Sequence, residues 1–153
     1  MQPEKCSSSP NHKWFGLSLQ ALVMLSHKSN ACSSAEIAHY LKSEATMLRR
    51  VLAKLAREQI LETREGRDGG YRLKIAPETL TLADVYLALR VGQPLCNGML
   101  DTTGAHEFGQ EMKQAFMEIT DEVEQKTIEV LRQVTIAQLA DRYCSAKQSS
   151  TYL

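Results

Sequence analysis

The 153-residue chain has no apolar run approaching the ~20 residues that a bilayer-crossing helix requires, and it has no net charge, with 18 basic side chains opposing 18 acidic ones. Its opening, Met1-Gln2-Pro3-Glu4-Lys5-Cys6-Ser7-Ser8-Ser9-Pro10, lacks the apolar centre of a secretory signal. A cytoplasmic location is therefore expected, with no membrane partner. Cysteine is sparse: Cys6, Cys32, Cys96 and Cys144 stand far apart, unlike a disulfide framework or a structural zinc site. His12, His27, His39 and His106 show no metal-ligand spacing, so no metal and no cofactor is assigned. No motif brings together a nucleophile, a base and an oxyanion donor, which argues against an enzyme. There is no internal repeat. With 43% hydrophobic and 24% charged residues the composition is that of an ordinary globular chain, long enough to build a core without disulfides or metal.

Zero net charge conceals a local asymmetry, and a nucleic-acid surface depends on the local field. Residues 42–74 carry nine basic side chains against five acidic, an excess of four. Residues 101–133 reverse this, with eight acidic against Lys113, Lys126 and Arg132. A solvated helix face is the simplest reading of such charges, but the basic ones also fall in register.

Residues 1–13, rich in Ser, Pro and Asn, read as a flexible tail, and the fold is expected to begin near Trp14. Phe15, Leu19, Leu22 and Leu25 form the apolar stripe of a first helix. Ser33-Ser34-Ala35-Glu36 matches a capping box, so a short helix starts there, with Ile37, Ala38 and Leu41 inward. Ser43 can cap the next helix, in which Leu48, Val51, Leu52 and Leu55 recur at the spacing of one buried face. Arg50, Lys54 and Arg57 share the opposite face, extended by Thr46 and Arg49. Residues 60–65 and 71–75 alternate as two strands around Gly66-Arg67-Asp68-Gly69-Gly70, a hairpin signal. Thr81 and Asp84 cap a helix carrying Leu82, Val85, Tyr86 and Leu89, closed by Gly92 and Pro94. Residues 93–104 read as a linker or sensor loop, 105–145 as a long helix with a narrow apolar seam followed by a shorter one, and 146–153 as a loose tail.

The predicted fold is mainly α with a small two-stranded β-wing: a winged helix-turn-helix domain over residues 14–92, followed by a long C-terminal helix. Its expected partner is a double-stranded DNA operator. The apolar stripe anchors the recognition helix and leaves its N-terminal turn for the major groove. Ser43, Thr46 and Arg49 are the candidate base or near-phosphate contacts, Arg50, Lys54 and Arg57 the candidate phosphate neutralisers, and Arg67 at the wing tip is placed to enter the minor groove. The alternative is a winged-helix module for protein contacts, since fold alone does not fix function.

The segments Ala-Glu-Ile-Ala (35–38), Leu-Ala-Lys-Leu (52–55) and Glu-Gly-Arg-Asp-Gly-Gly-Tyr-Arg-Leu (65–73), followed by Leu-Thr-Leu-Ala-Asp-Val, resemble the Rrf-type winged-helix regulators. That family includes the iron-sulfur cluster regulator, the nitric-oxide-sensitive repressor and the cysteine-metabolism repressor of bacteria. The resemblance implies a homodimeric transcription regulator, most simply a repressor, paired through its long C-terminal helix, in agreement with the seam that begins at Phe108. Cluster-binding members carry three closely spaced cysteines before that helix. Here only Cys96 stands in that stretch, so a cluster of the family type is not expected.

Two regulatory inputs remain open. Cys32 precedes a capped helix whose positive end would lower its pKa, so oxidation of Cys32 or Cys96, joining them across the dimer, would respace the recognition helices. Alternatively, a small effector binds between the DNA-binding domain and the dimer helix, lined by Tyr86, Met99 and Phe108. Cys6 and Cys144 are weaker thiol candidates.

Overall fold

The computed structural model describes residues 10–92 and 94–149, with the backbone course alone for residues 10, 11, 94 and 145–149. Helix α1 (Pro10–Ser26) opens earlier than the expected start at Trp14, because proline is tolerated in a first helical turn. Residues 1–9 of the expected tail lie outside the described residues. Ala21, Leu22 and Leu25 put α1 into the core, with Phe15 and Leu19 half-buried beside them.

Helix α2 (Ser34–Leu41) carries the expected capping box: the Glu36 N–H donates to Ser33 Oγ at 3.2 Å and the Ser33 N–H to Glu36 Oε2 at 2.7 Å. It ends on Lys42 in the left-handed region, φ 52°. The Ser43 N–H then donates back to the Ala38 carbonyl at 3.1 Å, and helix α3 (Ala45–Arg57) follows. Ser43 is not its cap. Glu44 holds that position without a side-chain bond, because the reversal at Lys42 uses Ser43 to close the turn.

Strands β1 (Leu61–Arg64) and β2 (Gly70–Leu73) pair antiparallel with Leu61 opposite Leu73 and Arg64 opposite Gly70. This wing is joined to the segment before α2 by a two-way exchange, Cys32 N–H to Tyr71 O at 3.0 Å and Tyr71 N–H to Cys32 O at 2.8 Å. Gly70 makes the close approach possible. It takes φ +148°, and a Cβ there would stand 2.2 Å from the Cys32 carbonyl oxygen.

Helix α4 (Leu82–Ala88) has the expected Thr81–Asp84 capping box, and it stops before Gly92. Residues 93–104 are not all loop. Helix α5 (Pro94–Leu100) occupies most of them, with Cys96 buried and Met99 and Leu100 half-buried. Its 7 residues, about two turns, are too few for periodicity to reveal, and Asn97 and Gly98 suggest a turn. Helix α6 (Glu107–Arg132) starts on His106, whose Nδ1 accepts the Gly109 N–H at 2.9 Å. Helix α7 (Ile136–Ser149) packs back on α1, with Ile136 and Ala140 buried, and it continues past the expected loose boundary at 146. Residues 150–153 lie outside the described residues. The Leu82 N–H bonds Val134 O and the Ile136 N–H bonds Leu80 O, each at 2.9 Å, so the start of α4 and the end of α6 share one ladder. Among the described residues, no helix is long and apolar enough to cross a membrane.

Replacing Gly70 by alanine drives a methyl group into the Cys32 carbonyl. The expected cost is about 1–3 kcal/mol, read as a lowered thermal midpoint by circular dichroism. An unchanged midpoint would show that the wing is not held by this contact.

Candidate nucleic-acid interface

Leu48, Val51, Leu52 and Leu55 of α3 are all 0% exposed, which orients the helix completely. Thr46, Arg49, Arg50 and Arg57 are exposed on its other side. Lys54 is half-buried and pairs with Glu58 at 3.7 Å one turn on. Arg49, Arg50 and Arg57 have no ion pair among the described residues. Their charges are therefore free for an external anion, whereas Lys54 would first have to exchange Glu58 for a phosphate.

Ser43 drops out of this surface. Its hydroxyl is buried and has no hydrogen-bond partner among the described residues, a consequence of the turn that places Ser43 before the helix. Arg67 is exposed at the wing tip, where the Gly69 N–H closes onto Gly66 O at 3.1 Å. Behind it, the wing and the corner between α1 and α2 enclose a polar cleft of about 850 Å³ that Arg67 shares with Lys28, Asn30, Ser33 and Arg64. Lys28 and Arg64 were not singled out from the sequence. Arg64 was visible only as part of the basic excess, and Lys28 is brought to the wing by the fold. Arg72 is committed to Glu62 across the hairpin.

The thiol expectation is corrected at Cys32. The residue is 7% exposed, and its pKa is pushed up, first by burial and then by the Glu36 carboxylate, with Lys28 opposing. Glu36, bound into the cap, offsets the positive helix end that was expected to favour a thiolate. Cys32 lines the polar cleft, whereas Cys96, 8% exposed, lines a separate cavity beside α6. Cys144 is exposed on α7, and Cys6 lies outside the described residues.

The three residues expected around an effector are not brought together. Tyr86 borders the cavity beside α6, Phe108 borders another hollow with Met112 and Phe116, and Met99 lines neither. Tyr86 is 6% exposed, meets Phe15 edge-on at 5.4 Å between ring centroids, and donates its hydroxyl to Glu124 Oε2 at 2.9 Å, with Gly92 O a second acceptor at 3.2 Å. Burial, and then the Glu124 contact, raise its pKa to about 12.

This architecture is shared with known proteins. The family model Rrf2, described as an iron-dependent transcriptional regulator, matches residues 13–142. YffB of Lactococcus lactis subsp. lactis, named as an HTH-type transcriptional regulator, is 28% identical over 130 residues, covering 81% of this chain and 82% of that protein. Solved structures share the fold as well. CymR of B. subtilis, the global cysteine regulator, superposes with a TM-score of 0.60 at 21% identity, covering 84% of this chain and 94% of that one. IscR of T. potens superposes with a TM-score of 0.63 at 18% identity, covering 92% and 89%.

The family model is described as iron-dependent, and the donors among the described residues do not fit such a site. Residues 97–105 supply no thiol after Cys96, and among the described residues no three His, Cys, Asp or Glu side chains converge on a point that would hold a metal ion. With residues 13–142 matched by the family model, the chain belongs to the Rrf2 family of transcriptional regulators, DNA-binding proteins and not enzymes.

Proposed function

We propose that this chain acts as a homodimeric repressor that occupies an operator, each copy laying α3 in the major groove of one half-site. The observation that carries the reading is the division of α3, apolar residues wholly buried on one side and unpaired arginines on the other. Arg49 and Thr46 lie in the first half of the helix, where base edges are read. Arg50, Lys54, Arg57 and Arg67, joined by Lys28 and Arg64, neutralise phosphates. Work on chromosomal DNA goes with a cytoplasmic location.

Pairing is supported by α6. Phe108 is 67% exposed, Ile119 55%, Val123 45% and Val130 61%, a row of large apolar side chains that a second copy would cover. Two copies would present their recognition helices to half-sites about one helical turn apart, roughly 34–36 Å. A protein-contact module has no corresponding support, since it leaves the unpaired arginines of α3 unexplained. Release by oxidation of Cys32 and Cys96 has none either, because both thiols are buried and they line different cavities.

Fluorescence anisotropy on the DNA upstream of the chain's own gene tests the reading. Binding should weaken steeply with salt, and Arg50→Ala should lower affinity about equally on all sequences while reducing the salt slope by about 1. Arg49→Ala should instead relax sequence preference. Affinity that ignores salt and both substitutions overturns the proposal. Val123→Glu should give a monomer by light scattering, with operator affinity falling about tenfold or more as the second half-site is lost. Operator binding should be the same before and after mild peroxide; release that Cys32→Ser or Cys96→Ser prevents would restore the thiol switch.

A further inference from the structure

Helices α1, α4, α5 and α6 border a half-open cavity of about 320 Å³, at the small end of the ~300–1,000 Å³ typical of small-molecule sites. Phe15, Leu95, Val123 and Leu131 make its walls apolar, with Cys96 beside them and His12 at its α1 end. The polar groups it contains are mostly spent. Thr120 Oγ1 donates to Phe116 O at 2.7 Å and Thr127 Oγ1 to Val123 O at 2.9 Å, both within α6. The exceptions are the exposed His12, which makes no ion pair with a carboxylate among the described residues, and the half-buried Glu124. Its Oε2 accepts the Tyr86 hydroxyl, and among the described residues no lysine or arginine pairs with the carboxylate. A carboxylate against apolar walls, with one neutral donor, still lacks a cation.

We infer that this cavity is an effector site for a small apolar amine, which seats its body on Phe15, Leu95 and Leu131 and its ammonium group on Glu124. The geometry gives such a ligand a route to the DNA-binding surface. Tyr86 belongs to α4, which packs into the same core as α3, whereas Glu124 belongs to α6, which carries the exposed seam. The Tyr86–Glu124 bond joins the two, so a cation on Glu124 competes with or reorients that bond and biases how α6 stands on the DNA-binding half. The regulatory part of the inference rests on the repressor reading; the binding part does not.

The test uses full-length protein and 2-phenylethylamine, with 2-phenylethanol and 3-phenylpropionate as neutral and anionic counterparts of nearly the same shape. Thermal midpoint and the fluorescence of Trp14, the single tryptophan and the neighbour of Phe15 in sequence, report binding without DNA. The amine should raise the midpoint and bind at least about tenfold more tightly than either counterpart, because only it can pair the carboxylate. Glu124→Gln, which still accepts the Tyr86 hydroxyl, should fold with an unchanged midpoint and lose that preference. Equal response to amine and alcohol, no response at all, as when a second copy fills the cavity, or an amine preference that survives Glu124→Gln overturns the site. Operator affinity is then measured with and without the amine. A change of about fivefold or more supports the effector role, and amine binding that leaves affinity unchanged overturns it. Failure of the operator to bind in the absence of any amine would instead count against the repressor reading.

Discussion

Four side chains of α3, Leu48, Val51, Leu52 and Leu55, are completely withdrawn from water, and the direction of every cation on that helix follows from their burial. Removing such side chains from water contributes about 1.5–3 kcal/mol each, far more than a surface ion pair worth ~0–1 kcal/mol. The helix therefore cannot roll to satisfy Arg49, Arg50 or Arg57 internally. Their lack of protein partners is imposed by the core. A solvent-facing surface of unpaired arginines results because the apolar face admits only one rotation of the helix.

The wing is held differently. Two strands of four residues are a marginal structure alone, and this pair is secured by Leu61 in the core and by the exchange between Cys32 and Tyr71. That exchange puts the backbone just before α2 in register with the hairpin, and it gathers Lys28, Arg64 and Arg67 around one cleft. Cys32 takes part through its main chain. Its thiol is a small buried group beside the capping glutamate, which suits packing better than reactivity.

Much of this was legible in the sequence, for reasons that differ by element. Amphipathic spacing placed α3 and its buried face, and Ser33–Glu36 and Thr81–Asp84 located two helix starts, because capping boxes are local chemistry. Gly66-Arg67-Asp68-Gly69-Gly70 announced the hairpin. What escaped was short or tertiary. Helix α5 offers too few residues for a period. The inward hydroxyl of Ser43 depends on a left-handed Lys42 that no local rule anticipates. Lys28 and Arg64 meet only when the wing docks, and the pairing of Tyr86 with Glu124 spans 38 positions of chain. Local signals thus placed α3 and its two faces, while the surroundings of Cys32, Cys96 and Tyr86 came from packing.

The ladder joining Leu80 and Leu82 to Val134 and Ile136 has a mechanical meaning. The chain leaves at the start of α4, travels through α5 and the whole of α6, and returns to within one hydrogen bond of its departure. Helix α6, 26 residues and so about 39 Å long, is thereby a lever tied at its C-terminal end and braced by Tyr86 at Glu124, with Phe108 at the end farthest from the tie. A tilt of about 5° at the tie would carry that far end roughly 3 Å while leaving the Val130 region almost still. Small adjustments near Tyr86 and Glu124 are thus enlarged with distance along the helix.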